Sequence, residues 1–245
     1  MKKLVIMIAA VVIITSCSES KKSSVMNISN ADVLNSKVLT AAEQASLTPD
    51  KVIARLKKGN ETFAGNKLTI RNNTALVADA ANGQYPEAVI LSCLDSRVPV
   101  EDVFNRSIGD VFVARVAGNI VNVDILGSME FACAASGSKL ILVLGHGKCG
   151  AIMHAIDGTE LGNITEMLSK IQPAVAKAKS GFTGETTSAN SEFVEHVCHV
   201  NVEEMVNEIR RSSPILRGME EKGEIKIIGG WYDMYTGKVD FIENI

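Results

Sequence analysis

Leu140-Ile141-Leu142-Val143-Leu144-Gly145-His146 is the stretch on which the fold turns. Five consecutive aliphatic residues with no polar alternation are too few for a buried helix and suit a strand covered on both faces. The run ends at His146-Gly147-Lys148-Cys149. An earlier run, Ala88-Val89-Ile90-Leu91, ends in the same way at Ser92-Cys93-Leu94-Asp95-Ser96-Arg97, and Val111-Phe112-Val113-Ala114 is a third. Ile225–Ile228 reads as a fourth strand and Val239–Phe241 as a short last one, joined through Trp231 to Gly237.

Helical patterns separate these runs. Thr48-Pro49-Asp50 is a helix start, with Thr as the cap, Pro in the first turn and an acid after it. That helix turns Val52, Ile53, Leu56 and Phe63 inward and stops near Gly65. Ile125–Ala135 reads as a buried helix, and Cys149–Ile156 as the helix after the central strand. Asn163–Lys179 reads as another helix that Pro173 starts or interrupts. Phe193–Arg211 is amphipathic, with Val197, Val200, Met205, Val206 and Ile209 at helical spacing. Strands alternating with helices predict an α/β fold with a mainly parallel central sheet flanked by helices. Ligands of such sheets bind outside the carboxyl ends of the strands. Cys93 and His146 both fall there.

Two thiols and one imidazole form a three-ligand zinc set with a fourth position over. A set of two thiolates and a neutral imidazole cancels the charge of Zn²⁺. A bound water is then less acidified than on a three-His site, which predicts chemistry favoured at neutral to alkaline pH. Asp95 has two readings. It takes the fourth position and closes the site, or it pairs with the fork of Arg97 and accepts a hydrogen bond from the zinc-bound hydroxide. Cys-x-Asp-x-Arg and His-x-x-Cys are each weak signals alone. Together, each ending an apolar strand, they form a strong one.

The N-terminus is read separately. Met1-Lys2-Lys3 is followed by an apolar run from Leu4 to Ile14, eleven residues, short of the roughly 20 that span a bilayer as a helix. With Ile14-Thr15-Ser16-Cys17 after it, residues 1–17 read as a lipoprotein signal peptide ending at a lipidated Cys17. Residues 18–47, rich in Ser, Asn, Lys and Ala, read as a flexible tether. Residues 48–245 are then the catalytic domain, exported and lipid-anchored to the cell envelope, facing the periplasm or the cell exterior. Formal net charge is −3, so no basic footprint for nucleic acid exists. Cys133 and Cys198 sit in apolar helical patterns and read as core residues. His154, His196 and His199 are proton-shuttle candidates that more simply serve structure or surface. Lys148 reads as a solvated lysine beside the ligands, and Trp231 and Tyr232 as packing residues.

On Cys93, Asp95, Arg97, His146 and Cys149 the chain resembles the β-class carbonic anhydrases, zinc enzymes that interconvert carbon dioxide and bicarbonate. Ser96-Arg97-Val98-Pro99, Arg115-Val116-Ala117-Gly118-Asn119, Gly127-Ser128 with Glu130, and Cys149-Gly150 reinforce the resemblance over residues 48–245. It implies one Zn²⁺ per subunit on Cys93, His146 and Cys149, with Asp95 and Arg97 as the catalytic pair. It also implies a homodimer or higher even oligomer, with the cleft at the dimer interface. One branch of the family has a bicarbonate site built from Trp, Arg and Tyr. Arg115 matches its Arg, but Ile90 and Asp233 stand in the other places, so that site is expected to be missing. Near Asn105 no Gln is seen to bond substrate, and Arg106 and Ser107, with Gly118, are the substrate-pocket candidates instead. The rival readings are a same-fold carbonyl sulfide or carbon disulfide hydrolase and a non-catalytic zinc-binding lipoprotein.

Overall fold

The computed structural model describes residues 33–34, 37–67 and 69–245. The strands are β1 (Val33–Leu34), β2 (Ile70–Arg71), β3 (Ala88–Ser92), β4 (Val111–Arg115), β5 (Leu140–His146), β6 (Lys226–Tyr232) and β7 (Val239–Ile242). Five of them form one sheet in the order β4-β3-β5-β6-β7, parallel except for the antiparallel β6–β7 pair. β1 and β2 form a separate parallel pair. The helices are α1 (Ala41–Ala45), α2 (Pro49–Ala64), α3 (Asn73–Ala80), α4 (Val100–Val103), α5 (Val123–Glu130), α6 (Gly150–Ile156), α7 (Gly162–Ser169), α8 (Gln172–Lys179), α9 (Ser191–Ser212) and α10 (Pro214–Glu221).

The unbroken apolar runs make sense in this sheet. Along β3 and β5, Val89, Leu91, Ile141 and Val143 face one core with residues of α5, α6, α8, α9 and α10. Ala88, Ile90, Leu140, Leu142 and Leu144 face the other, against α2 and α4. Both faces are covered, so both alternating sets must be apolar. β3 lies between β4 and β5, so the chain leaves it to one side and returns on the other. That reversal opens a crevice at the carboxyl ends of β3 and β5. Ser92 pairs with Leu144 in register, which puts Cys93 and His146 at the same edge of neighbouring strands.

Several expectations are corrected. Residues 18–47 are not all tether. Thr40 and Glu43 cap α1 reciprocally, each side chain taking the other's backbone N–H, a Thr-x-x-Glu box readable in the sequence. From α1, buried Gln44 donates to the carbonyls of Pro86 and Ser136, both at 2.8 Å. Val38 is buried too, close to Gly109. The helix expected over 163–179 is two, α7 and α8, with Pro173 in the first turn of α8, where its missing N–H costs nothing. The helix expected over 125–135 starts at Val123 and continues past Glu130 through a π-type turn over Phe131–Ala135. It is not buried all round, because Val123 is 79 % and Phe131 56 % exposed. β6 runs on to Tyr232, so Trp231 and Tyr232 belong to the sheet, where both are buried as packing residues.

Replacing Gln44 by Ala strands a partly buried carbonyl at Ser136 and leaves the buried Pro86 carbonyl with Ser138 Oγ alone. It is expected to lower stability by about 1–3 kcal/mol, read as a lower urea midpoint at unchanged slope. A midpoint equal to wild type would return residues 37–47 to the tether.

Candidate active site

Cys93 follows the last residue of β3, His146 ends β5, and Cys149 occupies the N-cap position of α6. All three are buried, and their ligand atoms lie within 4.8 Å of one another. The two Sγ atoms are 3.9 Å apart. His146 Nδ1 is 2.8 Å from the carbonyl of Gly147, so the N–H sits there and the Nε2 lone pair faces the thiols. That Nε2 is buried and has no hydrogen-bond partner in the protein. An orphaned imidazole nitrogen beside two buried thiols fits a metal ion, and this donor set fits zinc. The Cys93 thiol is held well below its ordinary value, chiefly by the hydrogen bond from Cys149, against the penalty of burial. It is therefore readily the thiolate that a metal needs.

Asp95 leans over this cluster. Its Oδ2 stands 3.9 Å from His146 Nε2, and Arg97 grips it with a fork: Nε to Oδ1 at 2.9 Å and Nη2 to Oδ2 at 2.6 Å. The Arg97 backbone N–H adds a third bond to Oδ1. The fork holds the Asp95 carboxyl down to about 2, so it is ionised throughout the neutral range. Arg97 Nη2 also reaches the Lys148 carbonyl at 3.2 Å. Lys148 presents that carbonyl from a left-handed backbone, φ 54°. Its ammonium turns outward onto Tyr235, 4.6 Å above the ring centroid.

Gly118 comes to the cluster in an unforeseen role, its N–H pointing at Cys93 Sγ at 3.3 Å. Arg115, read from the sequence only as the arginine of a bicarbonate site, and Asn201, not singled out there, hold the backbone around the cluster. Arg115 donates from Nε to the Cys93 carbonyl at 3.1 Å and from Nη2 to that of Asp95. Asn201 bonds Gly118, and its signal was an amide amid valines on the apolar face of α9. Arg106 and Ser107 are not brought to the cluster within this chain. Arg106 Nε lies 3.2 Å from the fully buried Glu87, and the Ser107 N–H donates to Asp110. Glu87 precedes β3, a strand about 16 Å long, so this ionic cluster sits at its opposite end. A buried carboxylate needs such partners, and Arg55 supplies the second. His154 bonds Thr159, His196 stacks on Phe182 and His199 on Trp231. Cys17 lies outside the described residues.

Residues 88–239 match the family model described as carbonic anhydrase. The chain belongs to the carbonic anhydrase family. Carbonic anhydrase 2 of Mycobacterium tuberculosis is 35 % identical over 199 residues, covering 78 % of this chain and 92 % of that protein. The carbonic anhydrase of Mycolicibacterium smegmatis is 34 % identical over 193 residues, covering 76 % and 89 %. A tetrameric β-carbonic anhydrase of Sordaria macrospora superposes with a TM-score of 0.61 at 26 % identity, over 78 % of this chain and 96 % of that one. The β-carbonic anhydrase of Coccomyxa in complex with acetazolamide gives 0.62 at 25 %, over 80 % and 86 %. This carbonic anhydrase is thus of the β class, whose members use zinc and hydrate carbon dioxide to bicarbonate and a proton.

Removing zinc with a chelator under air is expected to cost the carbonic anhydrase two titratable thiols. Dioxygen takes two electrons and two protons from Cys93 and Cys149, leaving a disulfide between them and hydrogen peroxide. Cys133 and Cys198, buried and free, stay countable after unfolding. A full thiol count in the aerobic sample would refute this.

Proposed function

We propose that Cys93, His146 and Cys149 hold the zinc ion, one per subunit, and that Asp95 and Arg97 are the catalytic pair for the reversible hydration of carbon dioxide. One observation carries this reading: an ionised carboxylate, fixed by an arginine fork, stands 3.9 Å from the unpartnered nitrogen of a buried Cys-His-Cys cluster. Zinc in that cluster supplies Lewis acidity that makes water nucleophilic near neutral pH.

The chain's own groups do the rest. Asp95 is an acceptor only, and its fork with Arg97 leaves lone pairs free to take a hydrogen bond from the attacking oxygen. This orients one oxygen lone pair toward the carbon of carbon dioxide. Arg97, bonded also to the Lys148 carbonyl, ties the Asp95 turn to the loop between His146 and Cys149. With the fork broken, Asp95 is free to turn onto the metal as a fourth ligand, which makes the pair a gate. Carbon dioxide offers almost no polar handle, so positioning of the nucleophile, not recognition of substrate, sets the rate.

A second copy of the chain completes the cleft in this proposal. Three features support it: the half-buried edge strand β4, the exposed Phe131 and Val123 beside it, and Leu94, 65 % exposed between Cys93 and Asp95. A lipid on Cys17 anchors the enzyme to the cell envelope, facing the periplasm or the exterior.

Asp95→Ala is expected to lower the stopped-flow hydration rate by about 100-fold or more, while metal analysis still finds one zinc per subunit. Wild-type turnover in that variant, or no zinc-dependent rate between about pH 7 and 9 in the parent, would sink the assignment. Cys17→Ser in the full chain is expected to abolish labelling by a fatty acid and to move the enzyme from the membrane fraction to the soluble one. Continued labelling would remove the anchor from Cys17.

A further inference from the structure

Asn201 is a carboxamide in an apolar place. It is 1 % exposed on α9, with Val197, Cys198, Val202 and Met205 buried around it. Its Nδ2 donates to the Gly118 carbonyl at 3.0 Å, and the Gly118 N–H in turn points at Cys93 Sγ at 3.3 Å. A side chain on a distant helix is thereby linked to a thiolate through one residue.

Gly118 needs an external fixed point. Its φ is 72°, a conformation that favours glycine, and an added Cβ would come within 2.6 Å of Ile171 Cδ1 and 3.3 Å of Ala151 Cβ. Glycine is therefore required there, and glycine brings the loosest backbone. α9 reaches Gly118 because it lies unusually low on the sheet. Val202, next to Asn201, packs into the places where Gly145 and Gly229 have no side chain. A Cβ on Gly229 would sit 2.7 Å from Val202 Cγ1, and one on Gly145 would clash with Cγ2. The two sheet glycines bring the helix down, and Asn201 is the polar group delivered.

We propose that Asn201 is a positioning residue of the metal centre, which acts through Gly118 to hold a backbone N–H on the Cys93 thiolate. This rests on the reading of Cys93 as a zinc ligand. An N–H on a thiolate draws charge from the sulfur and fixes its direction, so the metal stays more electrophilic and better held. Without Asn201 the Gly118 carbonyl loses its partner, the Gly118–Asn119 peptide keeps only the Asn119 N–H bond to the Val116 carbonyl, and the Gly118 N–H is held less firmly on the thiolate.

The test uses the full chain loaded with cobalt, whose thiolate-to-metal charge-transfer absorption reads the ligand sulfur directly. Two variants are compared: Asn201→Leu, of similar volume, and Asn201→Ser, too short to reach Gly118. Both are expected to shift that absorption, and in the zinc enzyme to speed metal loss to a chelator by about tenfold. Phe193→Leu, which loosens the same helix about two turns away where Phe193 packs on Phe182, is expected to leave both readouts at wild type. An unshifted band and unchanged release in the Asn201 variants overturn the proposal, as do equal changes in Phe193→Leu. A wild-type protein with no thiolate band at all overturns the ligand assignment first, and this proposal with it.

Discussion

The register between β3 and β5 is the constraint on which the site depends. Neighbouring parallel strands lie about 4.8 Å apart, a spacing close to that of two ligands on one metal ion. With Ser92 in register with Leu144, Cys93 falls level with Gly145, and His146, the last residue of β5, is one residue further on. A slip of one residue would turn Val89, Leu91, Ile141 and Val143 to the wrong face. Burial of the sheet on both sides thus fixes the ligand geometry long before any metal binds. Cys149 enters from the N-cap position of α6.

Much of this was legible because it was periodic or contiguous. The apolar runs at 88–91 and 140–144 announce two-sided burial, and their polar ends announce the site. The Cys-His-Cys cluster and the Asp95–Arg97 pair follow from local spacing once the strands are adjacent. What stayed hidden depends on long-range contact. Nothing near Arg106 reveals that a buried Glu87, nineteen residues earlier, claims its guanidinium. Nothing near Asn201 points to Gly118, 83 residues away. α1 is different. Its Thr40-Glu43 capping box was readable, but the Ser-, Asn- and Lys-rich stretch before it disguised a segment that the domain holds through buried Gln44 and Val38.

β3 connects two unlike ionic arrangements. At its amino end Glu87 is fully buried, and Arg55 and Arg106 answer it from α2 and the loop after α4. Burial raises the Glu87 carboxyl, and the two guanidiniums work against that shift. The three side chains answer one another in charge, although Glu87 Oε1 and Arg106 Nε, 3.2 Å apart, make no regular hydrogen bond. At the carboxyl end the partners are deliberately incomplete: thiols, an imidazole with a free nitrogen, and a carboxylate with spare lone pairs. A buried polar group without a partner is costly, so the incomplete end is where chemistry belongs.

The turn between Cys93 and Asp95 carries both a proposed ligand and the proposed catalytic carboxylate, and the fold holds it through its backbone. Arg115, from the adjacent strand β4, takes the carbonyls of Cys93 and Asp95 together. Arg97 takes the Asp95 side chain and the Lys148 carbonyl. The division matters for a gate. If a single arginine held both the turn and the carboxylate, releasing Asp95 would loosen the Cys93 ligand as well. With the backbone secured by Arg115 and the Cys93 sulfur met by the Gly118 N–H, the proposed gate would let the Asp95 side chain change partner while the sulfur stays in place. Under the proposed gate, the separation of those two jobs between Arg97 and Arg115 would let one short turn be rigid at Cys93 and switchable two residues later.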